Sequence, residues 1–308
     1  MTNSSLPNIN GYQLLKEWST SGSCRWSYAQ KDGQQWFVKQ FMSPKYKRTE
    51  DGISPKKVEQ SHVRCEAFRK TQEELYKRVK AANTGNIVPI DDFFSFKSMF
   101  YAVSERVDIS SISVTDVSQM AHAQKMILLK VLTHSLNSLH KQGVVHADLK
   151  PDNILIKKTK TGYTLKLIDF DASFLESNPR RGEKICFDVR FVAPETMVAC
   201  DDESVTLNRK IDIFALGLLF HLYYTGSMPA IPKDYRSTYD AVSRGVVPTI
   251  AAHIPNWLQK LIRDMLGPDP GMRPDSEQIF QALLTETYES VATSTKKGFH
   301  LPPKLPTK

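Results

Sequence analysis

The first hundred residues alternate in short runs. "YQLLKEW" from Tyr12, "RWSYAQK" from Arg25 and "QQWFVKQF" from Gln34 mix aromatic, apolar and polar positions as half-buried strands do. "KDGQ" between the last two is a hairpin turn signal. Phe41 to Pro55 is polar and basic and reads as a loop. From Lys56 to Ala82 the period lengthens, with Cys65, Phe68, Leu75, Tyr76 and Val79 near one face, which predicts a helix. "NIVPIDDFF" and "SMFYAVSERV" return to strand. After Asp108 the pattern is mostly helical. "SQMAHAQKMILLKVLTHSLNSLHKQG" predicts one long amphipathic helix ending at Gly143, and "NILIKKTKTGYTLKLIDF" a hairpin. A loop then runs to Glu195, and helices are expected in "RKIDIFALGLLFHLYYTG", "PNWLQKLIRDML" and "RPDSEQIFQALLTETYESV". Strands first and helices second give an α+β class with two lobes, and no internal repeat is evident.

Composition narrows the classes. The 308 residues suffice for one large domain or two modest lobes, and 41% hydrophobic with 24% charged residues is ordinary for a globular chain. No apolar run reaches about 18 residues, so no transmembrane helix is expected. "MTNSSLPNIN" lacks the basic-then-apolar pattern of a signal peptide, and a cytoplasmic location is the expectation. Cys24, Cys65, Cys186 and Cys200 are scattered, with neither zinc-site spacing nor the density of a disulfide scaffold. The net charge of +8 favours acidic partners. Because the basic residues are spread along the chain without a nucleic-acid motif, neither a nucleic acid nor a membrane is expected as partner.

One stretch concentrates chemistry. "VVHADLKPDNILI", Val144 to Ile156, puts His146, Asp148, Lys150, Asp152 and Asn153 among apolar neighbours. Phosphoryl transfer to a hydroxyl needs a carboxylate to orient it, cations for the phosphate oxygens and oxygen ligands for magnesium. Asp148, Lys150 and Asn153 supply such groups. Standing alone, the segment reads equally as a polar turn between helix and strand. Downstream, Asp169 ends the apolar run "LKLIDF", where a carboxylate needs a partner such as a metal ion. Upstream, Lys39 sits inside the strand "WFVKQF".

In this order these residues resemble the eukaryotic-type serine/threonine protein kinases, over about Tyr12 to Val291. "WFVK" resembles the third-strand lysine motif, "HADLKPDN" the catalytic loop, "DFD" the magnesium-binding motif, and "APE" the end of the activation segment. "IDIFALG" resembles the anchoring helix with Asp212 as its buried aspartate, and "MRP" supplies Arg273 to pair with Glu195. The resemblance implies a bilobal fold. Residues 1–11 would be a tail, 12–103 the small β-rich lobe, 104–108 a hinge, 109–291 the larger helical lobe and 292–308 a Pro- and Lys-rich tail. It implies ATP and Mg2+ as cofactors, protein substrates, and transfer of the γ-phosphate to serine or threonine, including the chain's own. Lys39 would hold the α- and β-phosphates and Asp169 and Asn153 the magnesium ions. Asp148 would be the catalytic base, and Lys150 would steady the γ-phosphate. The nucleotide-binding set would be Ser21, Gly22 and Ser23 over the phosphates, Tyr28 and Phe37 above the adenine, Ser104 as gatekeeper, the backbones of Glu105 and Val107, and Leu155 as floor.

Several positions depart from the family pattern. Gly22 is the only glycine in "STSGSCRWSY", and Phe37 replaces a small alanine. Gln72 stands where the helix glutamate is expected, and Glu73, on the neighbouring face with Glu66, is assigned as partner of Lys39. Ala147 replaces the arginine that receives an activation-segment phosphate, giving a non-RD kinase. Asp171 replaces the glycine after "DF", and Asp188, in place of a threonine, is expected to pair with Lys150. Two alternatives follow: a pseudokinase that binds without transferring phosphate, and a small-molecule phosphotransferase on a related fold. The latter group usually lacks the lysine at position 150 and the APE segment.

Overall fold

The computed structural model describes residues 6–21, 24–107, 111–160, 162–182, 185 and 187–289. Gly22, Ser23, Asp108, Cys186 and the tail 292–308 lie outside them. The chain divides into two compact units, residues 1–83 with 87–109 and residues 84–86 with 110–308.

The first unit is one antiparallel sheet and one long helix. Its strands are β1 (Asn8–Ile9), β2 (Tyr12–Leu14), β3 (Ser19–Ser21), β4 (Cys24–Lys31), β5 (Gln34–Phe41), β6 (Asp92–Phe96) and β7 (Met99–Glu105). Their order is β1-β2-β4-β5-β7-β6, with β3 paired to β4. Asp32 and Gly33 both have positive φ, 51° and 77°, the left-handed pair that a two-residue hairpin turn requires. Asn10 and Gly11 repeat this geometry between β1 and β2, so the sheet begins inside the expected tail 1–11. Lys97 and Ser98 do the same without a glycine. "YQLLKEW" is strand only to Leu14; the chain then bends, and the Lys16 carbonyl accepts from Ser27 Oγ at 2.7 Å.

Alternation along the strands gives each face its own core. Ile9, Tyr12, Leu14, Ala29, Val38, Tyr101 and Val103 pack on one side. Helix α1 (Pro55–Ala82) covers the other, where Phe68 and Tyr76 meet Phe41, Phe93 and Phe100 at ring separations of 5.1–6.2 Å.

The second unit is built around α5 (Lys210–Thr225), in which Ile211 through Tyr224 are all buried. A helix that is apolar all round is a core element. Gly217 lets α7 (Asn256–Met265) approach it: a Cβ on Gly217 would lie 3.0 Å from Met265 Cβ. The predicted long helix is α3 (His122–Lys141); its expected first residues, 118–121, instead end a separate short helix, α2 (Val114–Ser118), and form the break after it. Strand β8 (Val144–Val145) pairs with β11 (Phe174–Leu175), and β9 (Ile154–Thr159) with β10 (Gly162–Leu167). Helices α4 (Pro194–Asp201), α6 (Thr238–Ser243) and α8 (Ser276–Thr285) complete the unit. No helix among the described residues is long and apolar enough to cross a membrane.

Candidate active site

In the second unit the polar stretch after β8 is a loop held from below. Asp212, 1% exposed on α5, accepts from the backbone N–H groups of His146 and Ala147, each at 2.8 Å. His140 Nε2 lies 3.0 Å from the same carboxylate, and its Nδ1 is 3.0 Å from Ser276 Oγ. These bonds hold Ala147 at φ 65°, a left-handed conformation that non-glycine residues adopt only when their surroundings enforce it. His140 went unrecognised in the sequence; the only signal was a polar residue on the apolar stripe of α3.

The loop presents Asp148 with its carboxylate already occupied. Lys150 Nζ lies 2.8 Å from Oδ2, and Asn153 Nδ2 donates to the Asp148 carbonyl and to Oδ2, both at 2.8 Å. Asp148, Lys150 and Asn153 are thus brought together, whereas Asp188 is bound by Arg190 at 2.7 Å. The expected Asp188–Lys150 pair is not formed, because an arginine two residues along the same turn captures the carboxylate. That arginine holds the Asp188 carboxyl below its ordinary range. Buried Leu155 follows in β9.

The Asp169 segment is tied to the same loop. The Ile168 N–H donates to the Asn153 carbonyl at 3.0 Å, and His146 Nε2 is 3.2 Å from the Ile168 carbonyl. Burial pushes the His146 pKa down, so the ring stays neutral, with Nδ1 accepting from the Asp148 N–H at 3.3 Å. Asp169 has φ 64°, and its Oδ1 accepts from the Asp171 N–H at 3.2 Å. No cluster of three or more His, Cys, Asp or Glu suited to a metal occurs among the described residues. The oxygen donors of Asn153 and Asp169 fit a hard cation that takes most of its ligands from phosphate and water.

Further along, Glu195 and Arg273 form a buried two-bond pair at 2.6 and 2.8 Å. Arg273 also donates to the carbonyls of Gly267 and Lys210, so the buried guanidinium is well supplied with acceptors. Glu176 pairs with Arg209, and Arg180 donates to the carbonyls of Asp171 and Ser173.

In the first unit Lys39 lies half-buried on β5, opposite Ala102 of β7, with Nζ 6.0 Å from the Phe37 ring centroid. Phe37 faces Tyr28 at 6.1 Å and Trp26 at 5.4 Å between centroids, and its cross-strand partner is buried Ser104. The Glu105 N–H donates to Asp91 Oδ2 at 3.2 Å, and Val107 is half-buried. Ser21 ends β3 opposite Cys24.

The helix glutamate requires correction. Glu73 is turned outward and bonded to Arg69 at 3.2 Å, with its side chain 48% exposed. One residue is about 100° of helix, and the sheet-facing stripe through Cys65, Leu75, Tyr76 and Val79 takes Gln72 instead. Gln72 is 5% exposed, and its Oε1 accepts no hydrogen bond.

The chain is 26% identical to a serine/threonine-protein kinase of Drosophila yakuba over 262 residues, 82% of this chain and 34% of that one. A serine/threonine-protein kinase of Drosophila melanogaster is 30% identical over 174 residues, 54% of this chain and 22% of its own length. The chain therefore spans about a third or less of these curated relatives. The protein kinase domain family model matches residues 40–284, which carry the Asp148 loop, Asp169, Glu195, Asp212 and Arg273. By that match over most of its length, the chain belongs to the protein kinase domain family.

Proposed function

We propose that the chain transfers the γ-phosphate of ATP to serine or threonine hydroxyls of protein substrates, itself included, with Mg2+ as the metal. The observation that carries this reading is the Asp148 carboxylate, fixed by Lys150 and Asn153 on a loop bolted to Asp212. A carboxylate held in one orientation aligns a hydroxyl and takes its proton as the new bond forms. Lys150, close enough to pair with that carboxylate, is the cation available for the transferring phosphoryl oxygens. Asn153 and Asp169 would hold Mg2+, which when bound neutralises phosphate charge. Lys39 serves the α- and β-phosphates, and Phe37 with Tyr28 forms an aromatic roof for the adenine.

Among the described residues between Asp169 and Glu195, Arg180, the Glu176–Arg209 pair and the Glu195–Arg273 pair are points of attachment. With Ala147 unable to receive a phosphate, this supports activity without phosphorylation of that segment. Ser173 is not an exposed acceptor: it is 2% exposed and donates to the His146 carbonyl at 2.9 Å.

The deciding experiment incubates the chain with magnesium and labelled ATP, with and without a generic protein substrate, beside Asp148→Ala. Transfer falling by about 10²–10⁴ in the variant is the expected result. No transfer by the wild type under varied metals would sink the proposal. A nucleotide-binding module without transfer is the second reading, favoured by the neutral Gln72 on the inward stripe of α1. MgATP would then raise the melting temperature while no label moved.

A further inference from the structure

We propose that the groove between the β5–α1 connection and the outer face of α1 is a docking surface for a protein segment in which acidic residues flank an apolar one. The groove encloses about 710 Å3 and lies wholly within the first unit. It does not depend on phosphotransfer.

Charge gives the first argument. Lys45, Lys47, Lys57 and Arg64 line the groove against a single carboxylate, Glu59. None of the four cations forms an ion pair with a described residue, although α1 elsewhere pairs its basic residues readily, as Arg69 with Glu66 and Arg78 with Glu74. The helix adds a second. α1 runs for 28 residues, and its first turn holds lysines and no acidic residue. The exposed N–H groups of a helix start carry partial positive charge, so lysines there add like charge to like. An anionic partner removes that conflict. It would also complete the N-terminus, since Ser54 makes no side-chain cap.

Two apolar side chains decide what kind of anion fits. Met42 and Val63 line the same groove with 49% and 65% of their surface exposed. A peptide can place a leucine or phenylalanine on them while its carboxylates reach the rim, the usual division between interface centre and edge. A single-stranded nucleic acid would gain little from them. No aromatic ring lines the groove, so bases have no platform on which to stack. The chain's own tail, "KKGFHLPPKLPTK", is basic and would be repelled.

The test titrates the full chain into a fluorescein-labelled synthetic peptide in which glutamates flank leucine and phenylalanine, reading anisotropy. Three parallel probes are the same peptide with lysine for glutamate, the same peptide with serine for leucine and phenylalanine, and oligodeoxythymidylate. The acidic apolar peptide should bind. The joint substitution Lys45→Glu with Arg64→Glu should weaken it by about tenfold or more, and Val63→Ser by a few-fold. Melting temperatures near the wild-type value would show that these surface variants are folded. No saturable binding of the acidic apolar peptide would overturn the proposal. So would binding that ignores the substitutions, equal binding of the serine probe, or tighter binding of the oligonucleotide that the same substitutions abolish.

Discussion

Asp212 and Gln72 are both buried polar side chains, one on α5 and one on α1, yet their surroundings differ. Asp212 has three hydrogen-bond partners on the Asp148 loop and α3, whereas the Gln72 amide oxygen has none. A satisfied buried network rigidifies what it touches, and an orphan acceptor is a standing penalty. The loop that carries Asp148 is therefore fixed before any substrate arrives. On the inward stripe of α1 the Gln72 oxygen is an unmet acceptor, which a change of state or a ligand can satisfy.

The comparison is broken most severely at Asp212. Asp212→Ala orphans two backbone N–H groups and strands His140, and a loss of about 3–5 kcal/mol is expected in urea unfolding. A loss under about 1 kcal/mol would mean the loop does not rely on this anchor.

The same network predicts an acid limb. Burial lowers the His146 pKa, so below the ordinary histidine value the unfolded chain binds a proton that the folded chain does not. The stabilising difference is full above about pH 6.5 and declines as the pH falls toward the depressed folded value, by up to about 1.4 kcal/mol per pH unit. His146→Gln should flatten this slope below about pH 6.5. An unchanged slope would assign the acid sensitivity elsewhere.

At the other pole, Gln72→Leu removes an unpaired acceptor from an apolar stripe and should stabilise by about 1 kcal/mol. Destabilisation by that much would show that the amide has a partner in solution. The smallest effect belongs to Glu73→Ala. An exposed helix ion pair contributes about 0.5 kcal/mol or less, and phosphotransfer should not change, since this carboxylate faces Arg69. A marked fall in phosphotransfer would restore Glu73 as the partner of Lys39.

What could be read from the sequence depended on how local its cause was. The Asp32–Gly33 turn and the limits of α1 follow from dipeptide and period signals within a few residues. The Asp148 loop stood out because polar residues interrupted an apolar run. The inward place of Gln72 and the neighbouring face of Glu73 were legible in the period of α1; the assignment of Glu73 to Lys39 failed because Arg69, one turn earlier on the same face, takes its carboxylate. The hairpin at Asn10–Gly11 was legible and passed over. The one at Lys97–Ser98 had no glycine to mark it. The partner of Asp188 was a contest between two cations that only the turn geometry decides.

The close approach at Gly217 has a consequence for anyone diversifying this chain. A Cβ at 217 would lie 3.0 Å from Met265 Cβ, 3.1 Å from Leu266 Cδ2 and 3.3 Å from Leu266 Cγ. Shrinking position 265 to alanine leaves the first contact in place, because alanine keeps its Cβ, so room at 217 has to come from a small shift of the backbone and from the Leu266 side chain. A mutagenic library that varies 217 should therefore vary 266 with it and not 265 alone.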